Sequence, residues 1–116
     1  MPLFHSRRSS PAAASWRGDM HMDRLITKNN TATLRAEAGQ LVLDGPRGRH
    51  FVLPRAEVTE VRQAVARFWR WSWPVSNGIR ICHSVSGVPE KLVFRSRDAS
   101  AGQMLEKLKA LEYSVP

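Results

Sequence analysis

The chain has 116 residues, one cysteine, four tryptophans and a net charge of +8. That length holds one domain with a modest core, and no apolar run nears the roughly 20 residues that span a bilayer. The lone Cys82 excludes an internal disulfide and fits a reducing compartment, while the charge favours anionic partners such as phospholipid, nucleic acid or an acidic protein.

In chain order, residues 1–30 come first, with five basic and two acidic groups and no sustained apolar period. They predict a disordered basic tail. The stretch lacks the apolar core of a secretory signal. The segment after Arg7-Arg8 is too polar for a twin-arginine export signal, and an organellar transit peptide is a competing reading. Met20 and Met22 are alternative starts to Met1. The domain is expected over residues 31–116.

Thr31 to Ala36 is a short β-prone run closed by Glu37-Ala38-Gly39. Gln40 to Leu43 and His50 to Leu53 flank the turn-forming Asp44-Gly45-Pro46-Arg47-Gly48, which predicts a β-hairpin with Phe51 and Leu53 on one face. Residues 54–68, PRAEVTEVRQAVARF, are ambiguous. Val58, Val61, Val65 and Phe68 recur at three, four and three, a helical spacing, and Pro54 suits a first helical turn. The β-branched content and the aromatic run to Trp73 favour a strand. Asn77-Gly78 reads as a turn. Ile79 and Ile81 then alternate with polar neighbours, Ser86 to Pro89 turn the chain, and Leu92 and Phe94 share a face on Lys91 to Arg95, a second hairpin. Ala101, Met104, Leu105, Leu108 and Leu111 form the apolar stripe of a closing helix. Ser100 with Gln103 has capping-box spacing, and Asp98 is a competing cap.

The segment from Ala32 to Tyr113 resembles the small bacterial pleckstrin-homology-like (PH-like) domains. The resemblance is carried by GIRICH (Gly78 to His83), KLVFRS (Lys91 to Ser96), the final helix into LEY (Leu111 to Tyr113) and HFVLPRAEVTEV (His50 to Val61). It implies a mainly β fold, a bent antiparallel barrel capped by one C-terminal amphipathic helix. On this reading Arg55 to Glu57 is a single turn and Val58 to Phe68 a bulged strand. The alternative is an α+β fold with a helix over 55–68. The helical spacing and the Arg/Trp insert before Gly78 depart from the family pattern. Such folds bind lipids, peptides and partner domains alike, so the resemblance implies a binding module without naming its ligand.

Catalytic chemistry is thinly represented. Cys82 and His83 are neighbours, and on a strand neighbours face opposite ways, so they cannot form a thiolate–imidazole pair. His5, His21, His50 and His83 show no zinc-ligand spacing. The Asp44 to Gly48 loop lacks the lysine and following helix of a phosphate loop, and Glu57 and Glu60 have no acid–base partner. No enzyme activity, metal or organic cofactor is expected.

The stretch FWRWSWP (residues 68–74) remains. Extended, it puts Trp69, Trp71 and Trp73 on one face with Arg67, and Phe68, Arg70 and Ser72 on the other. The indoles either cover the barrel or form an interfacial patch. In the second case they prefer the headgroup level, where arginine reaches phosphate. Pro74 predicts that pairing ends at Trp73, leaving it in a loop, with one indole buried as an anchor. The expected binding residues are Arg67, Trp69, Arg70, Trp71, Trp73 and Arg80. The expected contacts are an anionic membrane surface or a protein partner, from the cytoplasm or the inner membrane face. A small binder of single-stranded nucleic acid, stacking bases on indoles, is the alternative.

Overall fold

A computed structural model of the chain describes residues 13–22, 25–26, 32–46 and 48–116. Among them are eight strands: β1 (Ala14–Met22), β2 (Leu25–Ile26), β3 (Ala32–Ala36), β4 (Gln40–Asp44), β5 (His50–Pro54), β6 (Val58–Phe68), β7 (Trp71–His83) and β8 (Leu92–Ser96). One helix comes after them, α1 (Ala101–Ala110). The strands form a curled antiparallel sheet in the order β5-β4-β3-β1-β8-β7-β6, with β2 paired to β1. The fold is mainly β, a bent half-barrel with one C-terminal helix, as the PH-like resemblance implies. Among the described residues no helix is long and apolar enough to cross a membrane.

The centre of that sheet was expected to be tail. β1 lies wholly within residues 1–30, between β3 and β8, so the domain includes residues from 14 onward rather than starting at 31. Residues 1–12, 23–24 and 27–30 of the expected tail, and Thr31, lie outside the described residues. β1 pairs with β3 over Ala14–Gly18 and with β8 over Gly18–Met22, where Met20 lies opposite Phe94. Its buried side follows a strict period of two: Trp16, Gly18 and Met20 are buried, while Ser15 and Arg17 are exposed. The glycine hides this pattern from a reading by hydrophobicity.

Gly18 sits where β1 passes from one partner to the other. A Cβ there would overlap the carbonyl oxygen of Arg95 and come within 2.8 Å of its carbonyl carbon and 2.9 Å of Ser96 Cα. Backbone, unlike a flexible side chain, cannot swing aside. Gly18→Ala is expected to cost about 1–3 kcal/mol by overpacking, measured as a lower denaturant midpoint. A midpoint equal to that of the unaltered chain would show that β1 and β8 do not approach this closely.

Both predicted hairpins form. β4 and β5 pair with Leu41 opposite Leu53 and Leu43 opposite Phe51, and β7 and β8 pair with Ile79 opposite Phe94 and Ile81 opposite Leu92. The helix alternative for residues 55–68 is corrected. Arg55–Glu57 is one 3-10 turn, and residues 58–68 are β6. The misleading spacing has a geometric cause. A register shift between Val58 and Glu60 resets the phase of the strand, so Val58 and Val61, three apart, both face the core. Val65, a member of the apparent helical stripe, is 57% exposed.

Asn77-Gly78 is likewise not a turn but part of β7. Asn77 Nδ2 donates to the Ser96 carbonyl at 2.8 Å, tying the strand to β8, and Gly78 is buried against Ala64 and Val75.

α1 begins with the expected capping box, in which Ser100 and Gln103 exchange side-chain to backbone hydrogen bonds. Asp98, the competing cap, instead accepts from the Arg17 N–H at 2.8 Å. The helix packs on β6 and β7 with Ala101, Met104 and Leu108 buried. Past it, the chain bridges β6 and the turn between β3 and β4. The Val61 N–H donates to the Ser114 carbonyl at 2.8 Å, and Tyr113 Oη donates to the Glu37 carbonyl at 2.6 Å. Burial pushes the Tyr113 phenol up to about 12, so this closure stays protonated at physiological pH.

Candidate functional site

Beyond its pairing with β8, which begins at Gly78, β7 continues outward alongside β6 as a two-stranded arm. Residues 71–77 of β7 span six steps of about 3.3 Å each, a reach of about 20 Å. Its ladder pairs Val65 with Pro74, Ala66 with Trp73, Arg67 with Ser72 and Phe68 with Trp71. The arm joins the body at an irregularity where Ala64 alone of β6 faces Val75 to Gly78 of β7. Gln63 Nε2 stitches this step by donating to the Val75 carbonyl at 3.0 Å. The Arg/Trp insert that departs from the family pattern is therefore a hairpin extension.

The tip is a two-residue turn, Trp69-Arg70. Trp69 has φ 62°, in the left-handed region that glycine usually fills in tight hairpins. A bulky side chain there costs about 1–2 kcal/mol. This indole is also 82% exposed, Trp71 is 71% and Trp73 49% exposed. The expectation of one buried anchor among the three is corrected; the buried indole is that of Trp16, in β1. Trp73 is paired in the strand rather than lying in a loop, and Pro74 is tolerated because, among the described residues, the outer edge of β7 has no strand partner there.

The hairpin turn also rearranges the faces. Trp71 and Trp73, two apart in a regular ladder, share a face. Arg67, paired with Ser72, takes the opposite one. The expected grouping of Arg67 with the indoles assumed one continuous strand through residues 67–73, and the turn at 69–70 removes that phase. Arg70 is exposed beside Trp69 at the tip, and Arg80 is exposed on the body of β7. The structure thus brings Trp69, Arg70, Trp71 and Trp73 together at the end of the arm, sets Arg67 on its opposite face level with Ser72, and leaves Arg80 on the body.

From residue 61 to residue 89 the sequence holds four arginines and no acidic residue. A cleft of about 700 Å³ opens at the base of the arm, lined by Arg62, Arg67, Arg80 and Lys91, with Val65 and Val93 among its apolar walls. Sequence reasoning missed Arg62 and Lys91. Their signal was weak, because Arg62 stands on β6 and Lys91 just before β8, and only the sheet makes them neighbours.

The catalytic candidates lie elsewhere. Val85 N–H donates to His83 Nδ1 at 3.0 Å, and His83 Nε2 then donates to the Pro89 carbonyl at 2.8 Å. Both ring nitrogens thus hold the β7–β8 loop, which leaves neither as a base for Cys82. Among the described residues no three or more His, Cys, Asp or Glu side chains are placed to hold a metal ion.

No protein-family model matches the chain, and none of the curated proteins is significantly similar to it.

Proposed function

We propose that this is a non-enzymatic binding module of the bacterial PH-like type that docks on an anionic membrane surface, tip of the arm first, from the cytoplasm. The observation that carries the reading is three exposed tryptophans on an acid-free, arginine-bearing hairpin. Exposing that much indole to water is unfavourable in a free monomer. At the headgroup level the same rings are favoured, and nearby arginines meet phosphate. Family membership is supported by the strand order and the terminal helix.

The opposed faces favour membrane over single-stranded nucleic acid. A stacking platform needs aromatic rings and backbone-binding cations on one surface, whereas Arg67 and Trp71 look in opposite directions along the arm. A hairpin entering a headgroup layer is surrounded by it, so both faces are used at once. An acidic protein would use the same charges but depend on salt more and on indoles less.

Sedimentation with phosphatidylcholine vesicles, with and without phosphatidylglycerol, tests the reading. Half-burying one indole contributes about 2 kcal/mol at roughly 25 cal/mol/Å². Trp71→Ala should therefore weaken binding to the anionic vesicles more than tenfold, leaving stability within about 0.5 kcal/mol because the ring is exposed. Trp69→Gly should act with opposite signs, raising stability by about 1 kcal/mol as strain is released while lowering vesicle affinity. Wild-type indifference to anionic vesicles, or unchanged binding by both variants, refutes the proposal.

A further inference from the structure

We propose that the cleft at the base of the arm is a specific site for a phosphate group, held between Arg62 and Arg80. Arg62 and Arg80 are direct cross-strand partners on β6 and β7. Like charges so placed repel and weaken a sheet, so the pair is costly until an anion lies between them. Arg62 meets Glu60 at 3.4 Å. Arg80 and Arg67 have no carboxylate within ion-pair distance among the described residues. Lys91 lines the same cleft, so three or more cations converge on one cavity of small-ligand size.

The row continues inward. Arg80 pairs with Val93 and Val93 with His21, which places all four side chains on one face of the sheet. His21 is held below its ordinary pKa first by burial and then by the positive charges of Arg95 and Lys91, despite Asp19. Two planar guanidinium forks carried by cross-strand partners suit the several oxygens and double charge of phosphate better than a single carboxylate. The phosphate belongs to a lipid headgroup or to a soluble phosphate ester; only the first source rests on the membrane reading.

Titration of the full chain with inorganic phosphate and pyrophosphate at constant ionic strength, followed by arginine side-chain NMR signals, is decisive. Saturable shifts at Arg62 and Arg80 are expected, and Arg80→Gln should weaken pyrophosphate about tenfold, the effect of losing a charge-assisted hydrogen bond. Arg97→Gln, an exposed change outside the cleft, should not. Shifts that never saturate, or that chloride reproduces, or an Arg80→Gln variant that binds as before, overturn the site and leave only diffuse screening. Phosphatidic acid vesicles then separate the sources. A preference for them over phosphatidylserine vesicles at matched charge, lost in Arg80→Gln, assigns the headgroup. Saturable pyrophosphate binding without that preference assigns a soluble ester. If indole variants leave vesicle binding unchanged, docking fails while the soluble titration still judges the cleft.

Discussion

Residues 31–116 alone should not fold. Removing residues 1–30 takes away β1, the strand that joins the two halves of the sheet through five residue pairs with β3 and five with β8. Trp16 and Met20 leave the core with it, at about 1.5–3 kcal/mol for each side chain's burial. The edges of β3 and β8 are then unpaired, with their backbone groups facing a vacant slot. Against a total stability of about 5–15 kcal/mol for a domain, this loss is enough to abolish the cooperative thermal transition. Circular dichroism and a thermal melt of the two chains check it. Adding a synthetic peptide of residues 13–30 to the truncated chain should restore part of the signal, because the slot is shaped for that strand. A truncated chain melting with the midpoint of the intact one would remove β1 from the fold.

Leu108→Ala should cost about 2–5 kcal/mol, the range for a core leucine whose cavity cannot fully collapse. Leu108 is fully buried on the helix face that meets β6 and β7, and its carbonyl accepts from the Leu111 and Tyr113 N–H groups. Loosening this turn also loosens the Tyr113 closure onto Glu37. The exposed Lys109→Ala on the same turn should change stability by no more than about 0.5 kcal/mol. Urea unfolding of the two variants compares them directly, and equal midpoints would mean that α1 does not close the sheet.

These two predictions bracket what could be read from residues alone. The helix was legible because its stripe, capping box and polar face all agree, and each acts within a few residues. The β4–β5 hairpin was legible for the same reason. β1 was not. Its inward positions read Trp, Gly, Met, and the glycine is explained only by the Arg95 carbonyl that occupies the place of a side chain. Asn77-Gly78 carries a strong turn signal, yet Asn77 spends its amide on β8, and the turn falls on Trp69-Arg70, which no local propensity favours.

Residue content and local pattern were enough to establish the β-rich class, the closing helix and the concentration of tryptophan and arginine around residues 67–80. Each comes from composition or from short-range periodicity, which the chain carries wherever it folds. Only the folded sheet reveals that the indoles stand on an arm, that Arg67 faces away from Trp71, and that Arg62 meets Arg80 across two strands. Those relations depend on strand register, and register is set by bulges and turns whose geometry is fixed only when distant strands pair.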